Sequence, residues 1–220
     1  SLAVKSAAKQ FGMPLLRLDT GRLMGKFNGE SERNLREALA MAEAQAPCVL
    51  WIDEIEKAFA GVGKDSDNGV ATRLFGSFLT WMNERQAAVY TIATANDITG
   101  LPPELMRRGR FDELFSVDFP TALESEEILK GQIVRRGHVL ADDEVSALAQ
   151  EAFRRGFSGA DLEGVVRTGL ELAFERGLEA HNSAQGGEAV LSADFKEAMA
   201  IAKSTRESLG PKVEELRNRL

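Results

Sequence analysis

The sequence predicts an α/β unit built on a parallel sheet over residues 1–119, then an all-α unit over 120–204 and a helical extension over 205–220. Three observations lead there. Cys48-Val49-Leu50-Trp51-Ile52 is apolar at every position, and strands buried on both faces belong to parallel sheets. Strand-like and helix-like segments alternate as far as Phe119. From Pro120 onward only helical patterns follow, as expected of a separate helical layer.

Residues 2–11 read as a helix stopped by Gly12 and Pro14, and residues 14–19 as a short strand. Thr20 to Gly29 reads as a polar loop. Leu35, Ala38, Leu39 and Ala42 then fall on one helical face, and Glu30 and Glu32 suit the positive end of that helix. The strand at 48–52 ends in Asp53-Glu54. The stretch 61–69 is loop by composition, and a helix follows from Val70 to Glu84. Val89 to Ala95 is the next strand, Leu101-Pro102-Pro103 opens a helical turn, and Glu113 to Phe119 reads as a further strand.

In the helical part, Thr121-Ala-Leu-Glu124 is a capping box. Val145, Leu148, Ala149, Ala152 and Phe153 form an apolar helical stripe. Ser158-Gly-Ala-Asp161 caps a long helix with Leu162, Val165 and Val166 on one face. Gly186-Gly187 breaks the chain before a helix from Ser192 to Lys203, and Gly210-Pro211 precedes a short charged helix.

Composition narrows the function. The 220 residues are 44% apolar and 28% charged, an ordinary globular balance. One cysteine, Cys48, excludes an intrachain disulfide framework, and His138 and His181 lie too far from it to suggest a zinc site. The net charge of −7 argues against a protein dominated by contacts to nucleic-acid phosphates. No apolar run reaches the roughly 20 residues of a membrane helix. The chain opens in helical pattern without a signal-peptide signature or an initiator Met, so its start is expected upstream.

Four constellations carry chemistry. Asp53-Glu54 closes an apolar strand, at the sheet edge where open α/β folds bind ligands. An aspartate there can hold Mg²⁺ through water, and the next glutamate can take a proton from an attacking water, the Walker B pattern. The same pair would also serve as an acidic helix start. Thr94-Ala95-Asn96 ends the following strand, where an amide can orient a water, or simply make a turn. Met106-Arg107-Arg108-Gly109-Arg110-Phe111-Asp112 gathers three planar donors suited to phosphate, or to a solvated turn. Gly156-Phe157-Ser158-Gly159-Ala160-Asp161 lets backbone approach a base or ribose, or caps a helix.

In this order and spacing the four motifs resemble the AAA family of ATPases, over nearly the whole chain. Ala46-Pro47-Cys48 through Ile55, Phe78-Leu79-Thr80-Trp81 and Arg110-Phe111-Asp112-Glu113 are similar to a branch found in bacteria and plastid genomes. The resemblance implies a P-loop NTPase core incomplete at its N-terminus, followed by a small helical lid. It implies ATP and Mg²⁺ as cofactors, with Ser1 and Asp53 as magnesium ligands and Glu54 activating water. Asn96 matches the first sensor, and Arg107 and Arg110 match arginine fingers that reach a neighbouring subunit's nucleotide. Gly159 and Ala160 match the lid's approach to adenine and ribose, with Gln132 where many relatives carry histidine. Lys26-Phe27-Asn28-Gly29 matches a pore loop that grips polypeptide, and Asp65 to Asn68 falls at a second. Asn28 departs from the usual apolar residue, and Arg108 from a common proline.

The phosphate-binding loop G-x-x-x-x-G-K-[ST] is absent from these residues. Ser1 aligns with that loop's hydroxyl residue, so the chain is expected to be a fragment cut after the loop's lysine. Lys5 is expected to be a solvated helix residue. The strand before the loop would be missing too, leaving a gap in the sheet, a poorly stable fragment and no ATPase activity of its own. The expected function is an ATP-hydrolysing, ring-forming motor or remodeller of a protein client, a homo-oligomer, as a hexamer, in cytoplasm or plastid stroma. The alternative is a nucleotide-regulated scaffold with little turnover. A clamp loader or helicase acting on DNA is disfavoured by the acidic balance.

Overall fold

A computed structural model describes residues 1–23, 29–59, 62, 69–99, 101–107, 109–182 and 190–210. The chain divides into two compact units, Ser1–Phe115 and Ser116–Leu220.

The first unit runs α1 (Leu2–Phe11), β1 (Leu15–Leu18), α2 (Thr20–Leu23), α3 (Glu30–Ala44), β2 (Cys48–Ile52), α4 (Ile55–Ala58), α5 (Val70–Glu84) and β3 (Val89–Ala93), then a 3₁₀ turn at Pro103–Met106. The sheet is parallel in the order β1-β2-β3. Leu15 lies opposite Val49 and Leu18 opposite Ile52, while Cys48 faces Val89 and Ile52 faces Ala93. Central β2 is buried at all five positions, as its unbroken apolar run demands. Its side chains alternate between two cores. Cys48, Leu50 and Ile52 join Leu35, Leu39, Leu74 and Phe78 from α3 and α5. Val49 and Trp51 join Val4 and Ala8 of α1. Fully burying one such large apolar side chain contributes about 1.5–3 kcal/mol, so the strand that carries the paired carboxylates is the best-anchored element of this unit.

The second unit is helical: α6 (Ala122–Arg135), α7 (Asp142–Arg155), α8 (Gly159–Asn182), α9 (Ser192–Ile201) and α10 (Thr205–Leu209). Leu129, Ile133, Leu148, Leu162, Val166 and Phe195 form its core. A Cβ on Gly169 of α8 would stand 2.5 Å from the Phe195 ring, so only glycine lets α9 pack that closely. Thr121 and Glu124 cap α6 reciprocally, as the sequence predicts.

Several expectations change, and the strand predicted to Ala95 ends at Ala93. Thr20–Leu23 is a helical turn rather than loop, begun where Asp19 accepts a hydrogen bond from the Gly21 N–H at 3.0 Å. Residues 113–119 form no strand, and Leu114, Phe115 and Val117 are 60%, 85% and 90% exposed. Apolar content supplies propensity, but a strand exists only with a ladder partner. Among the described residues none pairs with this segment. Phe153 lies half outside the α7 stripe, 50% exposed. The helix predicted to Lys203 ends at Ile201, and a separate short helix, α10, follows. The breaks at 186–187, the C-terminal helix after Pro211 and the loop at 63–68 lie outside the described residues.

Candidate functional site

The parallel register brings the ends of β2 and β3 together, and a compact polar cluster forms there. Thr94, one residue past β3, is its hub. Its hydroxyl donates to Asp53 Oδ1 at 2.7 Å and accepts from the Glu54 N–H at 3.2 Å. Its carbonyl accepts from the Ile55 N–H at 2.9 Å, and its own N–H donates to the Ile52 carbonyl at 2.9 Å. These bonds hold Glu54 in the left-handed region, at φ 53°. For a residue with a Cβ that conformation costs on the order of 1–2 kcal/mol and persists only where its surroundings over-determine it.

Each carboxylate has further partners. Arg17 Nη2 on β1 donates to Asp53 Oδ2 at 2.8 Å. Lys57 Nζ lies 2.6 Å from Glu54 Oε2, and Asn96 Nδ2 donates to Glu54 Oε1 at 3.3 Å. The hydrogen bond to Glu54 outweighs desolvation and, with the nearby carboxylates, holds the Lys57 ammonium above its ordinary pKa. The Asn96 N–H donates to Glu56 Oε1 at 3.3 Å. Asp53, Glu54 and Asn96 are therefore brought together, while Thr94, Arg17 and Lys57 complete a cluster in which the sequence reading gave them no role. Their signals were a hydroxyl two residues before Asn96, a lone charge within Leu-Leu-Arg-Leu, and a lysine one helical turn after Glu54.

Ser1 is exposed at the start of α1, and its side chain makes no capping bond. Lys5 is exposed, as expected, with its Nζ 6.0 Å from the Trp51 ring centroid. The Arg110 guanidinium donates to the Glu104 carbonyl, whereas Arg107 is exposed. Gly29 begins α3 at φ 81°, a conformation that favours glycine. Lys26, Phe27, Asn28, Arg108 and Asp65 to Asn68 lie outside the described residues. In the second unit, Gly159 and Ala160 are exposed at the start of α8, and Gln132 Oε1 on α6 accepts from Arg136, the residue that caps that helix's C-terminus. Ser158 and Asp161 cap α8 reciprocally: the Asp161 N–H donates to Ser158 Oγ at 3.2 Å and the Ser158 N–H donates to Asp161 Oδ2 at 2.7 Å.

The donor set suits a hard cation that keeps most of its water. Among the described residues no three His, Cys, Asp or Glu side chains form a metal cage, and Asp53 offers one carboxylate flanked by a hydroxyl. Magnesium is held this way, through one or two carboxylates and retained waters, rather than by an all-protein cage. No described helix is long and apolar enough to cross a membrane.

A three-stranded parallel sheet whose central strand ends at paired carboxylates, followed by a helical part, has the architecture of a P-loop NTPase core. The chain belongs to the ATPase family associated with various cellular activities (AAA), which it matches over residues 1–119. It is similar to the AAA domain-containing protein ycf46 of Guillardia theta, 42% identical over 180 residues, covering 81% of this chain and 35% of that protein. It is also similar to protein CdcH of Halobacterium salinarum, 33% identical over 181 residues (81% of this chain, 24% of CdcH). Cell division control protein 48 homolog C of Arabidopsis thaliana is 32% identical over 187 residues, 84% of this chain and 22% of its own length. The chain thus spans about a third of the ycf46 protein or less of the other two.

Proposed function

We propose that the full-length protein is an ATP-hydrolysing, ring-forming motor or remodeller of a protein client. The observation that carries the reading is the cluster at the strand ends, where Thr94 holds Asp53 and Glu54 side by side and Asn96 hydrogen-bonds Glu54. Bound ATP supplies the phosphoanhydride bond, and Mg²⁺ supplies charge to its phosphates. Asp53 and the Ser1 hydroxyl hold the ion. Glu54 takes the proton from a water that Asn96 orients. Arg107 and Arg110 offer guanidinium charge to a neighbouring subunit's site, and catalysis is then positioning plus electrostatics. For Arg110 this requires exchange of its bond to the Glu104 carbonyl. Gly159, Ala160 and Gln132 are the helical unit's residues assigned to adenine and ribose, and Lys26-Phe27-Asn28-Gly29 is assigned to gripping polypeptide in a hexameric pore. The protein's place is then the cytoplasm or the plastid stroma, and the likeness to ycf46 proteins favours the plastid.

The scaffold reading has one observation in its favour. Lys57 occupies Glu54 at 2.6 Å, so a water approaching that carboxylate must compete with the ammonium. Turnover separates the two readings. ATPase rate is measured on the full-length protein alone, with an unfolded protein and with DNA. Stimulation by the unfolded protein alone supports the remodeller, stimulation by DNA overturns it, and a rate near zero in all three supports the scaffold. Mixing Glu54→Gln with Arg110→Ala tests the shared site. Some interfaces then pair an intact Glu54 with a neighbour's intact Arg110, so partial activity returns although each parent is inactive. A concentration-independent rate from a stable monomer removes the ring from the proposal.

A further inference from the structure

Arg17 is the one charge in β1, and it is not placed there for solubility alone. Register puts it opposite Trp51, on the sheet face that α1 covers. Its guanidinium carbon stands 4.9 Å from the Trp51 ring centroid, and its Nη2 reaches Asp53 Oδ2 at 2.8 Å. The indole thus shelves a long side chain that would otherwise wander, which lowers the entropy lost in making the ion pair. Thr94 engages the other carboxylate oxygen at 2.7 Å. Both oxygens of Asp53 already have donors, and the two differ in kind. The Thr94 hydroxyl is neutral and tolerates a cation on the same carboxylate. The Arg17 guanidinium carries a full positive charge and opposes one. Lys57, the other cation near Asp53, is engaged on Glu54.

We propose that Arg17 is a positioning residue that serves as the built-in counter-ion of Asp53, holding the carboxylate while no divalent ion is bound and releasing Oδ2 when one arrives. This rests on the reading that Asp53 holds the ion. Arg17 then sets the affinity of the site: the ion must displace a charge, so binding is weaker than the bare carboxylate would allow. In return Asp53 never stands as an uncompensated charge at the sheet edge. The Arg17 side chain is 59% exposed and that of Asp53 23%, so the competition is modest in size.

The test titrates Mn²⁺ into the ADP-saturated full-length protein and reads free Mn²⁺ by electron paramagnetic resonance, a measurement independent of turnover. Arg17→Gln is expected to bind Mn²⁺ about fivefold tighter than the parent. Arg17→Lys, which keeps the charge, is expected to stay close to the parent. Asp53→Asn is the control: parental affinity in that variant overturns the assignment of Asp53 itself. With Asp53→Asn impaired, an Arg17→Gln affinity equal to or weaker than the parent's overturns the role of Arg17 alone. A second reading needs no Arg17 variant. Release of the guanidinium from beside Trp51 changes indole emission as Mg²⁺ is added, and Trp51→Phe abolishes that change. Trp51 emission unmoved by saturating Mg²⁺ overturns release.

Discussion

The two units use carboxylates in opposite ways. In the helical unit, Asp161 accepts from the Ser158 N–H and hydroxyl and from the Thr205 N–H and hydroxyl, at 2.6–2.9 Å. Burial opposes its charge, but those hydrogen bonds outweigh it and hold the carboxyl below the ordinary range. Asp194 behaves alike: burial opposes the charge, and Arg176 with the Leu191 N–H overcomes it. Asp161 is held by short backbone and hydroxyl donors, and the nearly buried Asp194 is gripped by both Nε and Nη2 of Arg176. In the sheet unit, Asp53 and Glu54 are held partly by the tips of Arg17 and Lys57, whose side chains are 59% and 61% exposed. Long exposed cations exchange readily, because such pairs are worth only about 0–1 kcal/mol. On the proposed function, the carboxylates that act are held partly by exposed cations that can exchange, whereas the capping Asp161 is held by backbone and hydroxyl donors.

Breaking the contrast from the sheet side gives the largest effects. In the full-length protein, Arg110→Ala should lower turnover by about 10³–10⁵-fold while nucleotide binding persists, read by steady-state ATPase assay and ADP titration. Glu54→Gln keeps shape and removes the base, so turnover should fall by roughly 10²–10⁴-fold. Its melting temperature should stay near the parent's; a Glu54→Gln that melts early would mean this carboxylate is structural after all.

The helical side should show the reverse. Asp161→Ala strips a helix cap and leaves the Thr205 and Ser158 donors unpaired, with an expected loss of about 1–2 kcal/mol in chemical denaturation. The pH dependence sharpens this point. A carboxyl depressed on folding stabilises fully above its unfolded value, about 3.9, and the contribution is lost as pH falls through the folded value. The stability gap between the parent and Asp161→Asn should therefore be widest at neutral pH and close under acid, in melts followed by circular dichroism. A gap that widens on acidification would reverse the assignment. The smallest signal is expected from calorimetric titration of the 220 residues alone with Mg-ATP. They contain no G-x-x-x-x-G-K-[ST] to cradle phosphates, so no tight binding should appear.

Much of the molecule was legible before any coordinates. The unbroken apolar run at 48–52 dictated a doubly buried central strand, since no register exposes a polar face. Thr121–Glu124 and Ser158–Asp161 dictated helix starts, because a cap is settled within four residues. Asp53, Glu54 and Asn96 were legible because each sits next to such a local landmark. Tertiary structure decided the rest. Whether 113–119 becomes a strand depends on an edge beside it, which alternation within the segment cannot supply. Thr94 and Arg17 meet Asp53 across 41 and 36 residues, through the register of β1 and β3 on β2. Residue type and spacing encode what a segment prefers. Which side chains share a carboxylate is set by strand register, and register is a property of the packed sheet.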